Sequence, residues 1–416
     1  MSLTSRTPTL QGQTLVERLT ALGEFLQRWS EVWPHSALEH DRLPWEPRFP
    51  ALAEALTSLP EALVDELEAA PWRLVDRLPE LPEPYAAVAD EACRQVELDA
   101  TAPAAPDPRL DDWRPARGIP GRKWRQIRAF AAALDAPERP GPLVDWCGGK
   151  GHLSRTLVWL RGGEQRVFEL DAALCRDAER LAGKLGVACT GHACDVLEAT
   201  PPLSADARVV ALHACGALHI ELIRRVSTER PQHLALAPCC YHRIQGQSLT
   251  PLSTTGRAAI PELPRAVLRL ATTEQVRPSA KAVAARRRRI VWRLGLDALV
   301  RQATGRETFT PVGHYPWPLV KKPFAEFCRE LAARNGLALP TRYDEAAVLA
   351  AARQRASEVR GLSLFRWLFR RPFELWLVLD RAAALQEAGY EVSVRPFCER
   401  RITPRNLLIL ARRQDS

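Results

Sequence analysis

The run Val144–Ser154, VDWCGGKGHLS, places Gly148, Gly149 and Gly151 between a short apolar segment and an amphipathic one. Glycines at such a junction let the backbone approach a ligand closely and aim amide groups into the turn, as a nucleotide-type cofactor cradle requires. Cys147 stands where these turns usually carry their first glycine, and Asp145 lies inside the motif. Two carboxylates follow. Asp171 comes 20 residues after Gly151, at the spacing where an acidic side chain meets ribose hydroxyls. Glu169 lies two residues earlier and so shares its strand face. Asp171 is the preferred ribose ligand, with a helix N-cap as its structural alternative. Asp195, in HACDVLE, is the candidate for an adenine amino group.

A second constellation comes from LHACGAL (212–218) and APCCYHRIQG (237–246), which hold His213, Cys215, Cys239, Cys240, Tyr241 and His242. Four readings compete. They shape a substrate pocket in which a histidine or Tyr241 orients a nucleophile. The cysteines are buried structural thiols. His213, Cys215, Cys239 and His242 hold a metal. Cys239 or Cys240 attacks a ring covalently. The pocket reading is taken first and the others follow in that order. No metal is assigned, because a sequence gives ligand types without their geometry.

These residues need a scaffold that brings them together. LVDW (143–146), RVFELD (166–171), ARVVALH (207–213) and HLALAP (233–238) read as strands. HLSRTLVWL, AALCRDAERLAGKLG and 219–226 read as the helices between them. That alternation predicts a doubly wound parallel sheet, whose ligands sit at the carboxyl ends of the strands. A helix over 373–390 and strands at 391–397 and 405–413 predict a terminal antiparallel pair. GRKWRQIRAFAAAL (121–134) reads as a basic helix beside the first strand. Trp124 is expected to pack, while Lys123, Arg125 and Gln126 are free to face the site. Residues 1–100 read as an acidic helical domain, 101–120 as a linker and 121–416 as the main domain. A helical basic insertion spans 245–372. It contains Arg286–Arg289 and the segment GHYPWP (313–318).

The 416 residues carry a formal charge of +9. Residues 1–110 hold 9 arginines, no lysine and 19 acidic residues, a balance of −10, so the remainder carries +19. Such basicity favours nucleic acid as partner; a basic protein, recruited by the acidic N-terminal region, is the second choice. No apolar run approaches the roughly 18–20 residues of a membrane span, and no leader pattern precedes the chain's first helix. Ten cysteines without CxxC pairs suit reduced thiols. The expectation is a cytoplasmic protein, and the Arg- and Pro-rich, Lys-poor composition suggests a bacterial source.

Together VDWCGGKGHLS, LHACGAL and PCCYHRIQG resemble the class I S-adenosylmethionine (SAM)-dependent methyltransferases of the CCYH-motif methyltransferase-domain family. This group includes the methyltransferase region of glutathione S-transferase C-terminal-domain-containing proteins and bacterial SAM methyltransferases. The match spans about residues 120–250. It implies a Rossmann-like α/β fold with a seven-stranded, mostly parallel sheet, and SAM as cofactor. It implies that Asp145 supports the loop and the amino group of the SAM methionine, with Cys147, Gly148, Gly149, Gly151, Glu169, Asp171 and Asp195 completing the cofactor site. The transferred methyl would point toward the end of the fourth strand, where the His/Cys cluster stands. The chain also bears a more distant similarity to tRNA ribose methyltransferases with a CCHH-type motif, Tyr241 standing here in place of the first histidine; the +19 balance and the Arg286–Arg289 run keep RNA as the expected substrate.

Overall fold

The computed structural model describes residues 14–98, 105–134, 141–199, 201–273, 279–313 and 315–414. Residues 101–104 of the expected linker and His314 of GHYPWP lie outside these. No described helix is long and apolar enough to cross a membrane.

The chain divides into two compact units. The first comprises Met1–Gln27, Val96–Val276 and Arg371–Ser416. Its frame is a seven-stranded sheet built from β1 (Leu143–Trp146), β2 (Glu164–Glu169), β3 (Ala188–Ala193), β4 (Arg208–Cys215), β5 (His233–Cys239), β6 (Tyr390–Pro396) and β7 (Leu407–Arg413). The order is β3-β2-β1-β4-β5-β7-β6. The first five strands are parallel, and β7 pairs antiparallel with both β5 and β6. This is the Rossmann-like class I methyltransferase arrangement with its terminal antiparallel pair. The order reverses between β1 and β4, which opens a crevice at their carboxyl ends.

The longer helices of this unit are α1 (Leu15–Arg28), α2 (Gly121–Ala132), α3 (His152–Arg161), α4 (Ala172–Gly183), α5 (Ala217–Glu229) and α6 (Arg370–Glu387). In α2 the apolar positions Ile127, Phe130 and Ala131 fall at helical spacing and are buried. They pack with Leu153 and Leu157 of α3, Leu143 of β1, Val210 of β4, and Phe397 and Leu408 from the C-terminal strand region. Trp124 packs partly buried against the same core, as expected. Each fully buried large apolar side chain here contributes about 1.5–3 kcal/mol. Leu110, in the later part of the expected linker, is buried in this core too.

The second unit comprises Arg28–Gln95 and Arg277–Arg370. The sequence predicts the acidic N-terminal region as a domain by itself and the insertion as part of the catalytic domain, and the structure departs from both expectations. Residues 28–95 fold with residues 277–370 because each completes the other. The rings of Trp45 and Tyr85 lie 5.1 and 5.6 Å from that of Phe365. The backbone carbonyl of Leu56 lies so near Gly361 that a Cβ there would sit 2.0 Å from it. Asp65 pairs with Arg287 and Arg360, and Glu68 with Arg286 and Arg360. The Arg286–Arg289 run is thus engaged inside its own unit; Arg289 donates to the Tyr315 hydroxyl at 2.9 Å. Counted by unit, the formal charges are +5 and +4, and the steep asymmetry along the sequence disappears.

Candidate active site

β1 ends in a tight turn that carries two of the expected glycines in left-handed conformation. Gly149 and Gly151 both have φ 60°, and Cys147 has φ 56°, a conformation uncommon for a residue with a Cβ. Cys147 therefore keeps the backbone path of the glycine it replaces. Burial pushes its thiol up to about 12, so it stays protonated. Gly148 must lack a side chain, because a Cβ would lie 2.6 Å from Cγ of Asp145. Gly149 faces open space, with nothing within 4 Å of where a Cβ would stand. Gly151 is packed: its Cβ position lies 3.1 Å from Val167 and 3.2 Å from Ala178. The three glycines thus allow a close turn, an open ligand side, and close approach of helix to strand, respectively.

Asp145 is buried beneath this turn, and its Oδ2 accepts from the Ser154 amide of α3 at 3.2 Å. Burial raises its carboxyl to about 6, against hydrogen bonds from Ser154 that lower it. It supports the loop, as its place in the motif suggests.

The carboxylate at the end of β2 that meets the turn is Glu169. Its Oε2 accepts from Gly149 N at 3.0 Å. Asp171, preferred from spacing, is exposed and caps α4, its Oδ1 accepting from Ala173 N at 2.7 Å. The strand stops at Glu169 rather than at Asp171, so the alternative role for Asp171 is the one it fills. Asp195 lies two residues beyond β3, half-buried, and accepts from Leu197 N at 2.9 Å.

The ends of β4 and β5 are locked together. Gly216 N donates to Cys239 O at 3.1 Å and Ala217 N to Arg243 O at 2.7 Å. A Cβ on Gly216 would lie 1.9 Å from Arg243 O, so only glycine fits. His213 sits at a register shift between Leu212 and Ala214, with φ 67°. Its Nε2 lies 3.0 Å from Oε1 of Gln126, a buried residue of α2. Burial lowers the ring to about 4, leaving it neutral at physiological pH. With Gln126 Oε1 as acceptor, Nε2 carries the proton and Nδ1 is left as a base.

Cys215 and Cys239 are register partners with sulfurs 3.5 Å apart. The sulfur of Cys240 joins them, all three lying within 4.8 Å of one another. Hydrogen bonds from Cys215 and Cys239 hold the Cys240 thiol well below the ordinary range, and Cys239 is pushed up in turn. His242 is half-buried, its Nδ1 lying 3.3 Å from the Thr272 hydroxyl. The four-residue set weighed as a metal site, with both histidines, does not assemble: each histidine has its own partner, and Cys240 takes their place beside the other two thiols.

Tyr241 is corrected to a core residue. It is fully buried, with its ring 5.8 Å from that of His219 and the Arg381 guanidinium 5.3 Å away. Cys240, with φ 46°, breaks the strand alternation just before it. Apart from Lys123, which the sequence left free to face the site, sequence reasoning missed the charge around the two histidines. Arg122, Lys123 and Arg405 act on His213, and Arg269, Arg243 and Arg405 on His242. They come from four separate stretches, so no spacing could have announced them.

Residues 122–247 match the model of a family described as "Methyltransferase domain". A curated relative, the glutathione S-transferase C-terminal domain-containing protein homolog of Drosophila melanogaster, is 28% identical over 127 residues, 30% of this chain and 21% of that protein. The chain thus spans about a fifth of the length of the curated relative it matches. Among solved structures it is similar to a geranyl diphosphate methyltransferase in complex with SAM (18% identity, 32% of this chain and 58% of the other, TM-score 0.25). It is also similar to the cyclopropane synthase MmaA2 of Mycobacterium tuberculosis (13%, 69% and 82%, TM-score 0.25). The stretch matched by the methyltransferase-domain model lies within the first unit and contains β1 to β5 of its sheet.

Proposed function

We propose that this chain transfers the methyl group of SAM directly to an oxygen or nitrogen of RNA, tRNA or rRNA. The observation that carries the substrate class is the set of cations, Arg122, Lys123, Arg243, Arg269 and Arg405, whose charge acts on His213 and His242. A phosphate backbone is drawn to such a surface, whereas a basic protein would meet like charge. The Arg286–Arg289 run adds nothing to this reading, since its partners lie within the second unit.

The residues present fit SAM. Gly149 faces open space at the crevice, Glu169 stands at the carboxyl end of β2 with Oε2 on Gly149 N, and Asp145 lies beneath the loop with Oδ2 on Ser154 N. Glu169 is the reading's ribose ligand and the loop amides hold the methionine end. The bound sulfonium supplies an already activated methyl group. The protein's own work is alignment of the acceptor and removal of one proton. His213 Nδ1, fixed through Gln126, is the proton acceptor, and His242 orients the substrate. A cytoplasmic setting, where the ten cysteines stay reduced, belongs to the same reading.

The test supplies the purified protein with methyl-tritiated SAM and a cell extract stripped of endogenous cofactor. Label that RNase removes and protease leaves is the expected result. Label that only protease removes would replace RNA with a protein substrate.

A further inference from the structure

We propose that Cys215, Cys239 and Cys240 form a binding site for zinc(II), three thiolates with the fourth coordination position left to an exogenous ligand. Tetrahedral zinc with Zn–S bonds of about 2.3 Å sets its sulfurs about 3.8 Å apart. The Cys215 and Cys239 sulfurs are 3.5 Å apart, and all three lie within 4.8 Å of one another. Closure therefore asks for side-chain shifts on the order of 1 Å or less. Among the described residues, this is the set of three or more potential ligands whose donor atoms converge.

The convergence is built by the backbone. Cys215 and Cys239 are neighbours across β4 and β5. Cys239 and Cys240 are consecutive, and in an extended strand their sulfurs would leave on opposite faces. The left-handed φ of 46° at Cys240 ends that alternation and returns its sulfur to the other two. The Gly216–Arg243 lock then holds both strand ends in place. A disulfide would use two of these sulfurs and give no role to the third.

A soft three-sulfur set selects zinc over magnesium or calcium. Binding needs the thiolates, so the three protons pass to solvent as the cation enters. Cys215 and Cys240 are only half-buried, which leaves a side open for a water or substrate atom. His213 and His242 are held by Gln126 and Thr272 and do not fill it.

The full chain, purified under reducing conditions without chelator, is expected to carry one zinc by elemental analysis. Titration of the wild type with a mercurial should release that zinc. Dialysis against cobalt(II) should give thiolate-to-cobalt charge-transfer absorption. Cys240→Ser and Cys215→Ser should each reduce bound metal at least tenfold, while Cys93→Ser keeps it. Zinc-free protein that also fails to take up cobalt would overturn the site. So would metal retained in both serine variants, or a Cys215–Cys239 disulfide in the reduced preparation. Mercurial release needs no variant, so a misfolded variant does not shield the proposal.

Discussion

Glu169 Oε2 accepts a hydrogen bond from Gly149 N at 3.0 Å, tying the end of β2 to the turn after β1. Its other oxygen accepts from Asp171 N at 3.3 Å. A carboxylate held from two sides is positioned before any ligand arrives. Glu169→Ala is expected to weaken SAM binding by roughly ten- to a hundredfold, the worth of a hydrogen bond to a charged group. Asp171→Ala should cost about 1 kcal/mol of stability through its lost cap and leave SAM affinity near wild type. Calorimetric titration of both variants, with thermal melts, separates the roles. The opposite pattern would return the ribose contact to Asp171.

The two left-handed glycines of the turn should respond differently. Gly149→Val places a side chain into the open side of the crevice and should abolish SAM binding. Its left-handed backbone strains any side chain, so the melting temperature also falls, but by less than for Gly151→Val, which adds overpacking to the same strain. Gly151→Val drives methyls into Val167 and Ala178, and overpacking of this kind costs typically 1–3 kcal/mol. Its loss should therefore appear in the melt before it appears in the titration. Equal melting temperatures for the two variants would contradict this division.

Asp145 predicts a pH signature. Burial raises its carboxyl from 3.8 to about 6, so the folded chain binds more protons than the unfolded chain between those values. The cost of the buried charge is fully present above about pH 6 and fades as pH falls toward 4. Asp145→Asn, which keeps an acceptor for Ser154 N, should be more stable than wild type at pH 7.5 by on the order of 2 kcal/mol. The difference should close near pH 4. Melts of both proteins across that range measure it, and a gap independent of pH would remove Asp145 as its source. SAM affinity of the variant should fall at pH 7.5.

If the cations beside the histidines meet phosphates, RNA binding must depend on salt in a countable way. Arg122→Ala with Lys123→Ala should flatten the slope of log affinity against log salt by about 2, roughly one per contact. SAM affinity should be unaffected. Fluorescence anisotropy with labelled RNA at several ionic strengths gives the slope. An unchanged slope would place the RNA elsewhere.

Much of the first unit was legible. The strands at 143–146, 208–215 and 233–239 announce themselves as apolar runs between helical periods, and the parallel sheet follows. Asp145 was readable because its place in the glycine motif demands a loop support. Which of Glu169 and Asp171 hydrogen-bonds the turn was not, since only the stopping point of β2 separates them. Tyr241 misled because one left-handed residue at Cys240 redirects everything after it, and sequence does not print φ. The domain division was hidden for a different reason: Asp65 and Arg287 are more than two hundred positions apart, and their pairing has no local signal.

Both units are assembled from distant stretches, and this fixes when each can form during synthesis. Residues 28–95 leave the ribosome long before residues 277–370, so the acidic half must wait for its basic half. β5 likewise keeps one edge unpaired until β7, at Leu407–Arg413, is released. An open strand edge invites pairing with other chains. Until β7 is made the parallel sheet thus carries an open side, and that interval is when the nascent chain most needs a chaperone.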